Sequence, residues 1–189
     1  MGVSEGDLRA LYATTDDPWD FRRSEYERGR LAATERALAR DRYSSALEIG
    51  CGNGELARRL APRCAAYIGL DAVPIALEAA RSAVPEARFV RGYLPCDLPK
   101  GAHDLIVLSE VLYFLDRAGI AALAGQIDRR WPGAEIVVVT WLGPTGHALD
   151  GSSALAAFSN ASLRSWAPVH ATDGGYRIDQ FDPLIGAAR

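Results

Sequence analysis

A glycine-rich turn near the first quarter of the chain is the feature that most constrains its fold. Residues 47–55 read Leu-Glu-Ile-Gly-Cys-Gly-Asn-Gly-Glu, an apolar stretch typical of a buried strand and then three alternating glycines. A helical sequence at residues 56–60 follows directly. Strand, glycine turn and helix form the entry to a nucleotide-binding α/β domain, because glycines let the backbone turn tightly and approach a ligand. The sequence therefore predicts a ligand site at this turn.

The spacing of the glycines separates the known kinds of nucleotide turn. A dinucleotide fingerprint needs a small residue where this chain has Glu55, and a phosphate-binding P-loop needs a lysine that is absent nearby. The pattern is instead Glu-x-Gly-x-Gly-x-Gly, from Glu48 through Gly50 and Gly52 to Gly54. It resembles motif I of the class I S-adenosylmethionine (SAM) methyltransferases, whose ligand carries an ammonium and a sulfonium. A turn that merely joins a strand to a helix is the alternative.

Apolar and helical patterns alternate along the middle of the chain. Residues 105–108 form an unbroken apolar run suited to the centre of a parallel sheet. Five alternations of strand and helix indicate a doubly wound sheet with right-handed crossovers. Strands are predicted at residues 46–49, 66–70, 87–91, 103–108 and 136–139, and helices at residues 24–40, 73–83 and from Asp116 onward.

The two ends of the chain are less regular. Ser4 resembles the cap of a short N-terminal helix, and Ser24 with Glu27 forms a capping-box pattern for a second one. Residues 141–150 are predicted as a loop and residues 152–158 as a short helix, while segments 166–171 and 176–181 look like a closing hairpin. The resemblance to the class I methyltransferases implies that this hairpin forms the last two strands of the sheet. We therefore expect an α/β, Rossmann-like class I methyltransferase fold, with a mostly parallel seven-stranded sheet, an antiparallel last strand and an N-terminal helical lid.

Length and charge limit the class of protein. The 189 residues suffice for one domain with a substantial core, which we divide into an N-terminal helical cap (residues 1–42) and a Rossmann-like core (residues 43–189). A net charge of −3 gives no basic field for nucleic acid, and no apolar run is long enough to cross a bilayer. The three cysteines lack metal-ligand spacing, so we expect no metal, reduced thiols and a cytoplasmic protein. The expected assembly is a monomer or a weak dimer.

Asp71 is the second candidate for the ligand site. It ends the second predicted strand about twenty residues after the first glycine, which places it at the carboxyl edge of the sheet beside motif I. A carboxylate there can accept hydrogen bonds from both hydroxyls of an adenosine ribose. An aspartate that only caps the following helix is the alternative. With motif I at the matching distance, we predict that Asp71 and the adjacent Ala72 bind the cofactor.

Further candidates lie at the same edge or before the first strand. Ser109 and Glu110 follow the fourth strand, and Glu110 is predicted to face the cationic end of the cofactor or to receive a proton from an amine. Arg30 is predicted to pair with the cofactor carboxylate, and a lid aromatic to pack against the sulfonium. His147 is the candidate base on the substrate side. The other predicted cofactor-binding residues are Trp19, Tyr26, Glu48, Gly50, Gly52 and Gly54, whereas Tyr113 and Phe114 are predicted to be core.

Five segments together resemble the nodulation protein S (NodS) family more specifically. They are residues 17–19 (Asp-Pro-Trp), residues 24–27 (Ser-Glu-Tyr-Glu), the turn at residues 48–54, residues 60–64 (Leu-Ala-Pro-Arg-Cys) and residues 104–113. The resemblance implies a SAM-dependent N-methyltransferase that releases S-adenosylhomocysteine (SAH). Members of the family methylate the free terminal amine of a deacetylated chitooligosaccharide. We therefore expect a small-molecule acceptor, an amino sugar or an oligosaccharide, with an amine as the methylated group.

Two segments depart from the pattern of the family. Many relatives have Gly-Asp after the third strand, whereas this chain has Gly92-Tyr93, so adenine recognition is expected to fall to the backbone of Tyr93 and Leu94, with the Tyr93 ring stacking. Residues 142–147, where the acceptor should be read, also match poorly. The sequence leaves open an O-methyltransferase, a non-catalytic SAM-binding regulator and a small NAD(P)-linked oxidoreductase. Glu55 in the position of the third glycine and the lack of a Tyr-x-x-x-Lys pair speak against the oxidoreductase.

Overall fold

A computed structural model describes residues 2–172 and 175–184 of the chain. Its strands are β1 (Ala46–Ile49), β2 (Tyr67–Asp71), β3 (Arg88–Arg91), β4 (Leu105–Ser109), β5 (Glu135–Trp141), β6 (Trp166–Ala171) and β7 (Tyr176–Phe181). They form one sheet in the order β3-β2-β1-β4-β5-β7-β6. The first five strands are mutually parallel, whereas β7 runs antiparallel to both of its neighbours. This is the mostly parallel sheet with an antiparallel last strand that the sequence predicts.

Helices connect and cover these strands. Within the described residues they are α1 (Glu5–Leu11), α2 (Glu25–Arg36), α3 (Ala57–Leu60), α4 (Pro74–Ala83), α5 (Arg117–Arg130) and α6 (Gly151–Ala161). Four of them begin at a side-chain cap that accepts a backbone N–H of the first turn, which satisfies a donor that the helix itself leaves free. The capping residues are Ser4, Ser24, Asp116 and Asp150. None of the helices in these ranges is both long and apolar enough to cross a membrane.

Alternate residues of the central strands pack on opposite faces of the sheet. In β5, Ile136 and Val138 join the core beneath α5 and α6, whereas Val137 and Val139 join the core beneath α2, α3 and α4. All four side chains are buried. Because helices cover both faces, a central strand has no solvent-facing side, and this explains its continuous apolar sequence.

The predicted elements are confirmed, with shifts at their ends. Helix α2 ends four residues earlier than predicted, because the Ala39 N–H donates to the buried carboxylate of Glu135 (2.9 Å) rather than continuing the helical ladder. Strand β5 runs to Trp141, which the sequence assigned to a loop, because Trp141 pairs with Tyr176 of β7. The predicted hairpin coincides with β6 and β7; residues 173–174 of its turn lie outside the described residues.

The N-terminal segment lies across the carboxyl ends of the strands and forms the predicted helical lid. The Val3 N–H donates to the Phe114 carbonyl (2.8 Å), and the Tyr93 hydroxyl donates to the Val3 carbonyl (2.6 Å). Glu5 of α1 also pairs with Arg91 at the end of β3. These contacts fix α1 over the edge where the sequence places the ligand site.

Candidate active site

A cleft opens at the carboxyl ends of β1, β2 and β4, beneath the N-terminal lid. The empty space in the cleft and its open mouth together is about 970 Å³. In open α/β sheets this edge is where ligands bind, because the loops that leave the parallel strands diverge there. The sequence-predicted residues on the wall of the cleft are Trp19, Arg30, Glu48, Gly50, Gly52, Asp71, Ala72, Tyr93, Leu94, Ser109 and Glu110.

The glycine turn has a backbone that other residues adopt only with strain. Gly50, Gly52 and Gly54 have positive φ angles of 83°, 50° and 84°. A Cβ on Gly50 would lie 2.8 Å from the Ser109 carbonyl oxygen, and a Cβ on Gly54 would lie 2.9 Å from Cα of Ala80. Gly50 thus lets β1 and β4 approach each other at the cleft. Gly54 lies outside the cleft wall and allows the turn to pack on α4.

Asp71 joins the glycine turn to the start of α4. Its Oδ2 accepts the Gly52 N–H (2.9 Å), and its Oδ1 accepts the Val73 N–H (2.9 Å). Burial raises the pKa of this carboxyl, and the hydrogen bonds from Val73 and Gly52 oppose that rise. Each carboxylate oxygen has a second lone pair, so Asp71 can accept ligand hydroxyls in addition to the two N–H groups. The capping role and the ligand role are therefore compatible in one side chain.

Glu48 is a buried carboxyl at the base of the cleft. It is 1% exposed, and its Oε2 accepts the hydroxyl of Tyr67 (2.8 Å). Burial raises the pKa of Glu48 to about 8, so the group is mostly protonated at neutral pH in the absence of a ligand. Its Oε1 has no hydrogen-bond partner among the described residues. A cationic ligand group beside Glu48 would favour the ionised carboxylate.

Arg30 of α2 is the buried cation of the cleft. It is 2% exposed, and its Nε and Nη2 contact Oε2 of Glu27 at 2.8 and 2.7 Å. Nε also lies 3.7 Å from Oε1 of Glu110. Nη1 makes no hydrogen bond within the described part of the chain. One guanidinium thus faces two carboxyl groups and keeps one donor group for a ligand.

Glu110 leaves β4 in an unusual backbone conformation. Its φ angle is +51°, which is uncommon for a residue other than glycine, and its N–H donates to the Val139 carbonyl of β5 (3.0 Å). Burial raises the pKa of Glu110, whereas the positive charge of Arg30 lowers it. Oε1 is buried without a hydrogen-bond partner among the described residues. Strained backbone of this kind clusters at functional sites, and here it holds a carboxyl against the cleft.

Several residues of the cleft were missed by the sequence analysis. Asn53 donates through Nδ2 to Oδ1 of Asp17 (3.0 Å), which fastens the lid to the glycine turn. Tyr12, the C-cap residue of α1, is buried and meets Trp19 edge-on, with 5.5 Å between ring centroids. Tyr113 belongs to the predicted core but also lines the cleft. Only Asn53 carried a usable signal, its place between two glycines of motif I.

Tyr26 and His147 lie outside the wall of the cleft. Tyr26 is one helical turn before Arg30 and packs edge-on against Trp141 and Tyr176, with ring centroids 6.1 and 5.7 Å apart. His147 packs against the ring of Phe114 (4.8 Å between centroids), behind the residues that line the cleft. The face of α2 on which Tyr26 lies determines its position, and the path of the 142–150 loop determines that of His147. Their assignments to cofactor binding and to base catalysis stay predictions that this placement does not support.

Buried polar atoms without partners converge on the cleft. Buried polar groups are normally paired, so such atoms mark positions for the polar groups of a ligand. Their mixture of a guanidinium with carboxyl and amide oxygens suits a ligand that carries both charges, as the amino-acid part of SAM does. No three His, Cys, Asp or Glu side chains in residues 2–172 and 175–184 are arranged to hold a metal ion. The unpaired atoms of the cleft are Arg30 Nη1, Glu48 Oε1, Asn53 Oδ1 and Glu110 Oε1.

Comparison with known proteins identifies a matching family and a solved structure with a similar fold. The profile of the nodulation protein S (NodS) family matches residues 5–128. Nodulation protein S of Sinorhizobium fredii is 28% identical over 181 residues, which cover 89% of this chain and 76% of that protein. Nodulation protein S of Rhizobium tropici is 30% identical over 160 residues, which cover 82% of this chain and 60% of that protein. The crystal structure of the N-methyltransferase NodS from Bradyrhizobium japonicum WM9, in complex with SAH, has a TM-score of 0.80 at 22% identity and covers 94% of this chain and 97% of its own.

Proposed function

The chain belongs to the nodulation protein S family of SAM-dependent methyltransferases, and we propose that it methylates the amine of an amino sugar or of an oligosaccharide that carries one. The observation that carries the proposal is Oε1 of Glu110, which is buried in the cleft that contains motif I and has no hydrogen-bond partner among the described residues. The solved relative is named an N-methyltransferase, which supports an amine as the acceptor group.

The residues of the cleft fit SAM. When bound, SAM supplies a methyl group already activated on a sulfonium, so the protein mainly has to hold, align and shield the reactants. Nη1 of Arg30 is the proposed partner of the SAM carboxylate, since a guanidinium pairs well with carboxylates. Asp71 is the proposed acceptor for the ribose hydroxyls. The backbone of Tyr93 and Leu94, at the wall of the cleft, is left for the adenine.

Glu110 is the proposed proton acceptor for the substrate amine. An amine attacks a methyl group only through a free lone pair, so its ammonium form has to lose a proton first. Oε1 of Glu110 is buried and has no hydrogen-bond partner among the described residues. Burial raises the pKa of Glu110 and thereby makes its carboxylate a better base, while Arg30 limits that rise. The carboxyl holds the proton until the methylated product leaves.

Mass spectrometry of an acceptor incubated with SAM and the protein tests the proposal. The probe is a tetramer of β-1,4-linked glucosamine, and we expect one added methyl group on an amine nitrogen. The matched control is the fully acetylated tetramer, which has no free amine but keeps its ring hydroxyls, and which should stay unmodified. Equal methylation of both tetramers would indicate a hydroxyl acceptor and contradict the proposal. Failure to methylate the glucosamine tetramer would exclude this acceptor class.

The Glu110→Gln variant tests the proton acceptor separately. The amide preserves the shape of the side chain but cannot accept the proton, so we expect kcat to fall by about 100-fold, a typical contribution of a positioned base. The affinity for SAH, measured by calorimetry, should change by less than about threefold because Glu110 acts on the acceptor. Raising the pH should partly restore kcat in the variant, since more of the amine is then already deprotonated. A pH-independent loss would contradict the role.

A further inference from the structure

Three aromatic rings from distant segments form a partly exposed surface outside the cleft, which we call the aromatic shelf. It consists of Tyr26 on α2, Trp141 at the end of β5 and Tyr176 at the start of β7. Tyr26 stands edge-on to both other rings, with centroids 6.1 Å from Trp141 and 5.7 Å from Tyr176. Tyr26 is 42% exposed and Trp141 is partly exposed, whereas Tyr176 is buried behind them. None of the three lines the cleft.

The shelf lies beside Glu110, the proposed proton acceptor. The Glu110 N–H donates to the carbonyl of Val139, two residues before Trp141 on β5. Tyr26 lies one helical turn from Arg30, whose Nε is 3.7 Å from Oε1 of Glu110. Burial raises the pKa of Tyr26, and the negative charges of Glu27 and Glu110 raise it further. The shelf therefore continues from the side of the cleft where Arg30 and Glu110 meet.

Glycine backbone holds the rings of the shelf in fixed orientations. A Cβ on Gly143 would lie 2.3 Å from Cζ2 of Trp141, so only glycine lets this loop pack so closely against the indole. The indole Nε1 donates to the Pro144 carbonyl (3.3 Å). A Cβ on Gly175 would lie 2.8 Å from the Tyr26 hydroxyl oxygen. The exposed ring surface is thus held in place before any ligand binds, which lowers the entropy lost on binding.

We propose that the aromatic shelf binds the apolar face of a sugar ring in the acceptor, next to the ring whose amine reaches Glu110. One face of a sugar ring presents C–H bonds, whose weakly positive hydrogens pack against the electron-rich face of an aromatic ring. A surface outside the cleft is useful only to an acceptor that extends beyond its reacting amine. The inference rests on the proposed function and assigns Tyr26 and Trp141 to a second sugar ring of the acceptor.

Calorimetry on the SAH-saturated protein tests the shelf. The probes are glucosamine and the tetramer of β-1,4-linked glucosamine, and we expect the tetramer to bind more tightly. Tyr26→Leu and Trp141→Leu should each weaken tetramer binding by about tenfold, the size of one aromatic contact, with little effect on glucosamine or SAH. Trp166→Leu is the matched control, because Trp166 is 41% exposed on β6 and belongs to no part of the shelf. The control should bind like the unmodified protein.

Other outcomes would overturn the shelf. They are absence of tetramer binding, equal binding by the shelf variants, or an equal loss in Trp166→Leu. Weaker SAH binding in Tyr26→Leu would instead assign Tyr26 to the cofactor. Tyr26→Phe keeps the ring and is expected to bind like the unmodified protein, so a loss equal to that of Tyr26→Leu would also overturn ring packing. Should Tyr26→Leu fail to fold, Trp141→Leu against Trp166→Leu still decides the test.

Methyl transfer, measured on the same variants, separates the shelf from the proposed function. Transfer to the tetramer with an unchanged KM in both shelf variants would refute the shelf and leave the function standing. Tetramer binding that depends on Tyr26 and Trp141, without any transfer, would refute the function and leave the shelf standing. With both correct, the shelf variants should raise KM for the tetramer while kcat stays within about threefold, because the shelf acts on binding and not on the reacting atoms.

Discussion

Nε of Arg30 lies 3.7 Å from Oε1 of Glu110, and this contact joins the lid helix α2 to the end of β4 inside the cleft. The separation exceeds a hydrogen bond, so the charges attract each other while the Glu110 oxygen stays open to a ligand. Glu27 takes the closer position on the same guanidinium, with Oε2 at 2.7 Å from Nη2. With both carboxyls ionised, the cluster holds one negative charge in excess, which suits an ammonium group at the acceptor end.

Arg30→Ala should weaken SAH binding by about 10–100-fold, because a hydrogen bond between charged groups is worth about 1.5–3 kcal/mol. Calorimetry with SAH measures the loss. The same titration with 5′-methylthioadenosine, which lacks the amino-acid part, should be nearly unaffected if Arg30 binds the carboxylate. Arg59→Ala is the control, since Arg59 pairs with Glu35 at 3.4 Å on the surface. Equal losses for both ligands would assign the effect to a disturbed lid instead.

Asp71→Ala should reduce both SAH affinity and stability, because Asp71 is the proposed acceptor for the ribose hydroxyls and also accepts the N–H groups of Gly52 and Val73. We expect the Kd for SAH to rise by about 10–100-fold. Asp104→Ala is a matched control at the opposite end of the sheet, where the carboxylate accepts the N–H groups of Ser44 and Ser45. The control should lower the free energy of unfolding but preserve SAH affinity. Similar SAH affinities in the two variants would exclude a direct role of Asp71.

The parts of the fold that the sequence predicts are those with a local pattern. Continuous apolar runs mark β4 and β5 because helices cover both faces of these strands. Gly50 and Asp71 are recognisable because the turn needs a positive φ angle and the second strand must end at the same edge. In each case the sequence pattern lies within a few residues of the structural feature that requires it, or the position of the residue follows from the order of the parallel strands.

The parts that the sequence does not predict depend on contacts between distant segments. Tyr12 and Tyr26 are both aromatic residues before the first strand, yet only Tyr12 lines the cleft. The position of Tyr12 depends on how α1 packs on the sheet, which the hydrogen bond between Val3 and Phe114 fixes. The position of Tyr26 depends on the contact of α2 with Tyr176 of the hairpin. No periodicity within either helix carries that information. Packing of separate elements therefore decided which of the lid aromatics lines the cleft.

Glu48→Gln should make the stability of the ligand-free protein less sensitive to pH between about 4.5 and 8. The pKa of Glu48 is about 8 in the folded protein, against 4.5 for an ordinary glutamate. Below about pH 4.5 the carboxyl is protonated in both states; as the pH rises, the unfolded chain ionises first, so the folded protein loses stability until about pH 8. Over this window the free energy of unfolding should fall by a few kcal/mol more in the unmodified protein than in the variant. Urea unfolding at several pH values measures it, and parallel curves would contradict the shifted pKa.

Asp128→Ala should destabilise the fold strongly without weakening SAH binding by the folded protein. Arg164 is buried, and its Nε donates to Oδ1 of Asp128 at 2.6 Å while its other nitrogens donate to backbone carbonyls. Removing one partner leaves a buried charge unpaired, which costs about 3–5 kcal/mol. Arg9→Ala breaks an exposed pair with Glu5 and should change stability far less, because solvent screens the two charges. Denaturant unfolding measures the loss in free energy of unfolding for each variant. Similar losses would show that burial of the Asp128–Arg164 pair does not matter.

Gly50→Ala and Gly29→Ala should change stability in opposite directions. Gly50 has a φ angle of 83°, and a Cβ there would lie 2.8 Å from the Ser109 carbonyl oxygen, whereas a Cβ on Gly29 in α2 would meet nothing within 4 Å. Alanine at position 50 should cost more than about 1–2 kcal/mol, because the left-handed conformation and the contact add their penalties. Alanine at position 29 should stabilise the protein by about 0.5–1 kcal/mol. The helical conformation suits alanine, and alanine lowers the conformational entropy of the unfolded chain.

Thermal unfolding with and without SAH checks both variants. SAH should stabilise Gly29→Ala as much as the unmodified protein but Gly50→Ala much less, because only Gly50 shapes the cleft. A Gly50→Ala protein with full SAH stabilisation would show that the turn tolerates a side chain and that its glycine serves only the backbone.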